Sequence, residues 1–526
     1  MKPGEIAHHV SRGAFWLTLE KSAALFSGIA YFALLSRWLG PTKYGIMTLA
    51  LSFTGLAVTA TGNPELYLER YAAEFEAHGL VRTLRRAHLA ALAVKLALGV
   101  LAAVVLASLA PWLAFHFQMP ELTALLPVLA FTVALDGLST TGRATLYGIQ
   151  QFRWLSALAI AFHLAKVALV AGLWASRQGL FALAVGLSAL TVAQGAAQTL
   201  VPLWAMRRAE DREPTTPERT WSGLLRGMVA YCTPLLGARV AFLSGQNLSK
   251  IVLGKLFDAT QLGYFAFAFQ TLERFVELAY GVPAALQPSF TRLVARREWG
   301  RLRSVFDQSQ RLVQVIACAL SFGIFAFARE YTLLIGSPLF APAIPLLRVL
   351  ALVPLARTAQ QPLTMLFQAL RRPGTVFGLA VLKFVTEFGC YFLLVRRIGV
   401  MGAAWANLAG AAASFAVAMV LLARVLPEGA ALRARATVTA IAGVAPFLIA
   451  SAAIEAAAPP AASLALRLAL LPAAVFVVFA LGLVNRYDLD KLSAVPLRVT
   501  WMRRVRDSLV GAAGHFARAV EPRRSS

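Results

Sequence analysis

Charged residues are scarce in this chain of 526 residues: 14% are Asp, Glu, Lys or Arg, whereas 59% are hydrophobic. A soluble protein of this length would need a polar surface around two or three domains. This composition has too few charged residues for such a surface, so it excludes a soluble protein. The charges also cluster, which leaves apolar stretches of about twenty residues, the length at which an α-helix crosses a bilayer. With a mean hydropathy of +0.67, the chain is predicted to be an integral membrane protein.

The sequence also lacks the motifs of several enzyme classes. Its three cysteines, Cys232, Cys318 and Cys390, lie far apart in apolar runs, so no disulfide framework or zinc-binding spacing is present. There is no Gly-rich phosphate loop followed by Lys, no His-Glu metal helix and no large external loop that could hold a catalytic domain. We therefore predict neither an enzyme, nor a metal site, nor a cofactor.

Acidic residues are few: 50 Lys and Arg stand against 25 Asp and Glu, a net charge of +25. In a soluble protein this excess would indicate a nucleic-acid partner, but the chain contains no basic folded module. In a membrane protein the usual source is Lys and Arg retained on the cytoplasmic side. The basic residues concentrate in the segments on the side of the N-terminus, which predicts that both termini are cytoplasmic.

The apolar runs predict about fourteen transmembrane α-helices. The first, near Phe15, is too long for the core of a signal peptide. Two cytoplasmic connections, 63–88 and 289–311, are predicted to be amphipathic and to lie along the anionic inner leaflet, with a solvated charged loop as the alternative for each. The segment 497–520 of the basic tail is predicted to be an amphipathic helix on the same leaflet, with a disordered tail as the alternative. The predicted spans are approximately 14–38, 44–62, 89–108, 122–146, 155–176, 180–204, 228–252, 262–284, 312–328, 342–366, 375–395, 402–423, 437–456 and 464–484.

Two halves of the chain are related by an internal repeat. The segment 39–50 aligns with 257–268 at an offset of 218, so that Gly45 coincides with Gly263. Leu146 and Leu366 begin a second match, at an offset of 220. Six helices return the chain to its starting side, so the halves should be related by a pseudo-two-fold axis along the membrane normal. We predict six-helix bundles at 1–208 and 209–430, two extra helices at 431–484, and a basic cytoplasmic tail at 485–526.

Two motifs resemble a known family. The segment Arg37-Trp-Leu-Gly-Pro-Thr-Lys-Tyr-Gly45 and the loop Tyr147-Gly-Ile-Gln-Gln-Phe-Arg153 resemble the polysaccharide-biosynthesis exporters, the O-antigen and lipid-linked oligosaccharide flippases. These belong to the multidrug/oligosaccharidyl-lipid/polysaccharide exporter superfamily. The first motif has a structural role, since Gly40 permits a sharp turn and Pro41 presets the start of the next helix.

The resemblance implies a function. It implies a flippase that moves an undecaprenyl-diphosphate-linked glycan from the inner to the outer leaflet of a bacterial cytoplasmic membrane. The glycan would serve lipopolysaccharide or exopolysaccharide synthesis, with other polysaccharide assembly proteins as partners. The alternative is a cation-coupled drug or metabolite antiporter of the same superfamily, for which we expect a less cationic cavity.

Ionisable residues within the predicted spans are candidates for the substrate site, because a charge at bilayer depth needs a cavity or a partner. The repeat places Lys21 and Arg239 at an offset of 218, and it brings Lys166 close to the equivalents of Lys383 and Glu387. Arg and Lys suit an anionic diphosphate. The predicted cationic cavity is lined by Arg239, Lys21, Arg357, Lys166 and Lys383.

Buried carboxylates could couple transport to H⁺ or Na⁺, and Asp136 and Glu387 are the candidates. An alternative for each is a permanent pair with a nearby Lys or Arg, and Lys383 and Glu387 have the spacing of such a pair on one helix. For a further set of cations we predict that the long side chains snorkel to the interface. This set comprises Arg37, Lys95, Arg143, Lys250 and Arg467.

Overall fold

A computed structural model describes residues 3–207, 220–279, 286–426 and 430–480, together with Gly511. Within these ranges every regular element is a helix, which confirms the all-α prediction. The first elements are α1 (Pro3–Ala60), α2 (Glu65–Ala77), α3 (Val81–Phe117), α4 (Leu122–Gly148), α5 (Phe152–Ala175), α6 (Leu180–Arg207), α7 (Trp221–Leu256) and α8 (Ala259–Ala279).

The remaining helices contain more short pieces. They are α9 (Leu286–Ala295), α10 (Trp299–Ala326), α11 (Ala328–Ile335), a 3₁₀ turn (Pro338–Ala343), α12 (Ile344–Leu350), α13 (Pro354–Arg357), α14 (Gln361–Ala369), α15 (Pro373–Ile398), α16 (Met401–Val425), α17 (Ala430–Ala457) and α18 (Pro460–Ala480).

The chain divides into two compact units. Unit 1 consists of residues 1–267 and 333–341, and unit 2 of residues 268–332 and 342–526. The boundaries predicted from the repeat, at 208/209 and 430/431, divide the chain differently and stay a prediction. The basic tail at 485–526 lies outside the described residues, apart from Gly511, and so does its predicted amphipathic helix.

Ten helical segments within the described residues are long and apolar enough to cross a membrane. One of them, Phe15–Ala60, holds the first two predicted spans in a single helical stretch. Others coincide with predicted spans, as Leu122–Gly148 does with 122–146 and Met401–Val425 does with 402–423. The chain is a multi-pass membrane protein, and the total of about fourteen spans stays a prediction.

The break in α1 lies at Gly40. Its φ of 65° and ψ of 177° are non-helical, and Pro41 opens the second part of the helix. A positive φ is accessible to glycine at little cost, and the ring of proline fixes the φ that the new helix needs. The turn predicted from Gly40 and Pro41 is therefore confirmed.

Within unit 1, the start of α8 crosses the second part of α1 through reciprocal contacts. A Cβ on Gly45 would lie 1.9 Å from the carbonyl oxygen of Ala259, and a Cβ on Gly263 would lie 2.0 Å from that of Pro41. Midway, the hydroxyls of Thr42 and Thr260 lie 2.9 Å apart. Pro41 and Ala259 are 218 residues apart, as are Gly45 and Gly263, so the contact maps onto itself under the repeat. This is the geometry of a local pseudo-two-fold axis through the two threonines.

Both predicted amphipathic connections form helices. The first contains α2, which buries Tyr67, Leu68 and Phe75 in a core with residues of α3 and α4. The second contains α9 and the start of α10, where the buried rings of Phe290 and Phe306 lie 6.1 Å apart.

In unit 2, Arg467 ties α18 to the preceding helices. Its side chain is 1% exposed and ion-paired with Glu330 of α11 and Glu455 of α17, and it also donates to the carbonyl of Ala326. Arg348 donates to the same Glu455 carboxylate. The snorkelling predicted for Arg467 is wrong, because two carboxylates and a carbonyl satisfy the guanidinium inside the protein.

Removing this arginine should destabilise the protein. Arg467→Met leaves Glu330 without its guanidinium, whereas Glu455 keeps Arg348, so we expect a loss of about 3 kcal/mol, the low end for a broken buried pair. Thermal unfolding in detergent should show a lower Tm for this variant. The control is Arg396→Met, which replaces an exposed arginine of α15 and should leave the Tm unchanged. An unchanged Tm for Arg467→Met would show that the network contributes nothing to stability.

Candidate functional site

Unit 1 contains a buried cation held by oxygens from three segments. The side chain of Lys95 on α3 is 2% exposed, and its Nζ donates to the carbonyl of Gly62 at 2.8 Å. The same Nζ lies 3.5 Å from Glu65 Oε1 of α2 and 3.5 Å from Asp136 Oδ2 of α4. The cluster of Glu65, Lys95 and Asp136 has a formal net charge of −1, because one ammonium serves two carboxylates. Its charges are therefore less fully neutralised than those of a simple ion pair.

This cluster bears on two predictions. The snorkelling predicted for Lys95 is wrong, since the ammonium is turned to protein oxygens and not to the interface. Asp136 pairs with Lys95, as the alternative of a permanent basic partner requires. Its role in ion coupling stays a prediction. Sequence reasoning did not find Glu65, because it lies in a connection and not within a predicted span.

Two predicted cations of unit 1 lie on neighbouring helices. Lys21 of α1 is exposed, next to Glu20, whose buried carboxylate accepts hydrogen bonds from Arg143 at 3.0 Å and Ser156 at 3.1 Å. Lys166 of α5 is half-buried, with its Nζ 4.8 Å from the ring centre of Tyr31 on α1. Tyr31 and Lys21 are ten residues apart, about 15 Å along the helix axis. Lys21 on α1 and Lys166, which lies against α1 at Tyr31, are therefore at different heights along this helix and are not in contact.

Arg239 belongs to α7, as predicted, but its side chain lies outside the described ones. Its proposed place in a cationic cavity stays a prediction.

Unit 2 brings together the remaining predicted residues. Arg357, at the end of α13, donates both terminal nitrogens to the carboxylate of Glu273 on α8, one of them at 3.1 Å. On α15, Lys383 Nζ lies 3.7 Å from Glu387 Oε2, and Asn407 of α16 donates to Glu387 Oε1 at 2.9 Å. Lys383 also interacts electrostatically with Arg357 and Glu273.

Four side chains form a cluster whose formal charges sum to zero: Arg357, Lys383, Glu273 and Glu387. The spacing of Lys383 and Glu387 offered a pair on one helix as the alternative to a site role, and the structure shows this pair. The sequence does not predict the pair of Arg357 with Glu273, because these residues are 84 positions apart. The sequence predicted a cationic cavity, whereas in this cluster every cation faces a carboxylate.

The central part of the sequence matches a known protein family. A family model described as polysaccharide biosynthesis protein matches residues 88–345. None of the curated proteins matches the sequence.

Solved transporters share the fold. An inward-facing multidrug resistance MATE family transporter of the MOP superfamily matches with a TM-score of 0.64 and 14% identity, over 77% of this chain and 95% of that chain. The lipid II flippase MurJ, in an inward closed conformation, matches with a TM-score of 0.57 and 11% identity, over 96% of this chain and 98% of that chain. At such identities the likeness shows the fold. The family match covers just under half of this chain, so residues 88–345 are similar to the polysaccharide biosynthesis proteins, and the chain has the fold of these transporters.

Proposed function

We propose that this protein is a flippase for an undecaprenyl-diphosphate-linked glycan. It moves the glycan headgroup from the inner to the outer leaflet of a bacterial cytoplasmic membrane by alternating access, for the synthesis of a cell-surface polysaccharide such as O-antigen or an exopolysaccharide. Both termini are cytoplasmic. The family match over 88–345 supports a place in polysaccharide biosynthesis, and the transporter fold supports movement of a substrate across the bilayer.

The observation that carries the proposal is the paired cluster of unit 2. Arg357 presents two N–H groups in the geometry that suits a carboxylate or a phosphate oxygen pair equally well. A diphosphate can therefore take the place of Glu273 on the guanidinium. The exchange of one anion for another keeps Arg357 paired both before and after the substrate binds, so that the guanidinium is never left without an anion.

Lys21, Lys166 and Arg239 are proposed as further contacts of the headgroup, and Asp136 and Glu387 as the groups that couple transport to H⁺ or Na⁺. The lipid tail is proposed to remain in the bilayer, because moving a polyprenyl chain past polar groups would forfeit its burial in hydrocarbon.

A cation-coupled drug or metabolite antiporter is the second candidate. The observation in its favour is that the described cluster of unit 2 is charge-balanced, and not strongly cationic as a site for free anions would be. Deletion of the gene distinguishes the two candidates. A flippase mutant should accumulate lipid-linked glycan on the inner leaflet, whereas an antiporter mutant should show normal glycan export and altered drug or metabolite efflux.

Substitutions at Arg357 and Glu273 test the exchange of anions. Arg357→Gln should lower glycan export about tenfold or more, since a charge-assisted pair with the substrate contributes about 1.5–3 kcal/mol. Arg357→Lys should retain part of the activity, because the charge survives without the two-pronged geometry. Glu273→Gln should retain export, because the diphosphate replaces the carboxylate in any case. Surface glycan in the complemented deletion strain, normalised to membrane-inserted protein, is the measurement.

The control is Arg274→Gln, one position from Glu273, which removes a charge from the Arg274–Glu277 pair on the same helix. If Glu273→Gln is as damaging as Arg357→Gln, then the pair is needed as a pair and the exchange of anions is wrong.

A further inference from the structure

Unit 2 carries a strongly basic surface that the transport site does not use. We name it the arginine ledge. It is made of six exposed residues: Arg292, Arg296, Arg297, Arg301, Arg371 and Arg372. Between residues 286 and 303 the chain has one acid, Glu298, which pairs with Arg301 at 2.8 Å and Arg296 at 3.9 Å. Within the described part of the chain, no ion pair neutralises the other four arginines.

The fold gathers these arginines at one end of unit 2. The amide of Gln287 on α9 donates to Gln368 on α14 at 3.1 Å, which places α9 beside the turn that carries Arg371 and Arg372. Phe290 of α9 packs against Phe306 of α10 in the core, so the arginine-bearing side of this helix pair faces outward.

The same end lies at a membrane boundary. Three of the helical segments that are apolar enough to cross a bilayer begin or end here: Trp299–Ala326 begins, Pro338–Ala369 ends and Pro373–Ile398 begins. Trp299 is 49% exposed among the arginines, and tryptophan favours the layer between hydrocarbon and water. The ledge is therefore at the depth of the lipid headgroups.

We propose that the arginine ledge binds the phosphates of anionic phospholipids and thereby anchors unit 2 in one leaflet. In the orientation that the basic residues predict, this is the inner leaflet. A phospholipid suits the surface better than an acidic protein, because the arginines follow the ends of membrane helices and interleave with an interfacial aromatic residue. Each arginine near an anionic surface contributes about a fivefold factor in affinity.

The test uses the purified full-length protein in detergent micelles, to which phosphatidylglycerol or phosphatidylcholine is added. Phosphatidylglycerol should raise the Tm more than phosphatidylcholine does, and the difference should shrink as NaCl is raised, since exposed charges are screened. The variant carrying Arg292→Gln, Arg297→Gln, Arg371→Gln and Arg372→Gln should lose most of this difference. Its four positions are exposed, and its Tm without added lipid reports whether the fold is intact.

The matched control lies on the same helix. Arg371 and Arg372 precede α15, and the exposed pair Arg396 and Arg397 lies at its far end. The double variant Arg371→Gln/Arg372→Gln should weaken the phosphatidylglycerol effect, whereas Arg396→Gln/Arg397→Gln should leave it unchanged. An equal phosphatidylglycerol effect in both double variants and in the quadruple variant would overturn the proposal, and so would an absence of any phosphatidylglycerol effect on the parent protein.

Discussion

A disulfide between cysteines at positions 42 and 260 is expected to stop transport, and reduction is expected to restore it. The hydroxyl oxygens of Thr42 and Thr260 lie 2.9 Å apart, so sulfurs in their place are close enough to bond without a large backbone shift. The contact lies at the crossing of α1 and α8, where Gly45 and Gly263 leave no room for a Cβ. If the proposed alternating-access cycle separates the start of α8 from the second part of α1, a covalent bond between them would block that step.

The experiment needs a chain without its native cysteines, in which Cys232→Ser, Cys318→Ala and Cys390→Ala precede Thr42→Cys and Thr260→Cys. Thr42 is exposed and thus accessible to an oxidant. Glycan export should fall to background on oxidation and recover with a reductant, while each single-cysteine variant responds to neither. Full export by a completely oxidised double variant would show that α1 and α8 stay together throughout the cycle.

Lys95→Met is expected to be the most damaging single substitution for stability. It would leave Glu65 and Asp136, 5% and 20% exposed, as two carboxylates without their ammonium. Loss of one partner of a buried ion pair costs about 3–5 kcal/mol, and here one cation serves two anions, so the high end applies. Thermal unfolding and the amount of folded protein in the membrane should both show the loss.

Neutral partners should reverse this effect. The triple variant Lys95→Met/Glu65→Gln/Asp136→Asn removes all three charges and should recover much of the lost stability. Lys43→Met, which removes an exposed lysine of α1, is the control and should leave the Tm unchanged. If Lys95→Met alone is stable, the cluster is wet enough to solvate both carboxylates, and its charges are not structural.

Local signals in the sequence were sufficient for the helices and for the turn at Gly40. The repeat predicted that Gly45 and Gly263 are equivalent, and their reciprocal contacts bear this out, although the pattern did not show that they meet at one crossing. Glycines at matching positions mark the close approach of backbones. Which backbone each glycine meets depends on tertiary packing, and this cannot be predicted from the periodicity of the sequence.

The ionic partners were harder to predict. Lys383 and Glu387 share a helix face, so their spacing was enough. Lys95 and Arg467 resembled snorkelling residues, because each lies near a predicted helix end, and their partners come from other helices up to 137 positions away. Arg357 was predicted as a site residue from its place within a predicted span and from the repeat, which puts it near the equivalent of Asp136. Its ion pair with Glu273, which changes the chemistry of the proposed site, joins α13 to α8 and depends on tertiary structure.

The balance of charge in unit 2 also determines what the membrane voltage can act on. Moving one elementary charge through 100 mV is worth about 2.3 kcal/mol. The cluster of Arg357, Lys383, Glu273 and Glu387 sums to zero, and so do Arg348 and Arg467 with Glu330 and Glu455. If these two clusters shift as rigid groups, they carry no net charge through the field. In the proposed transport cycle, unit 2 then contributes electrical work only in the steps in which an anionic headgroup or a coupling ion is bound to it.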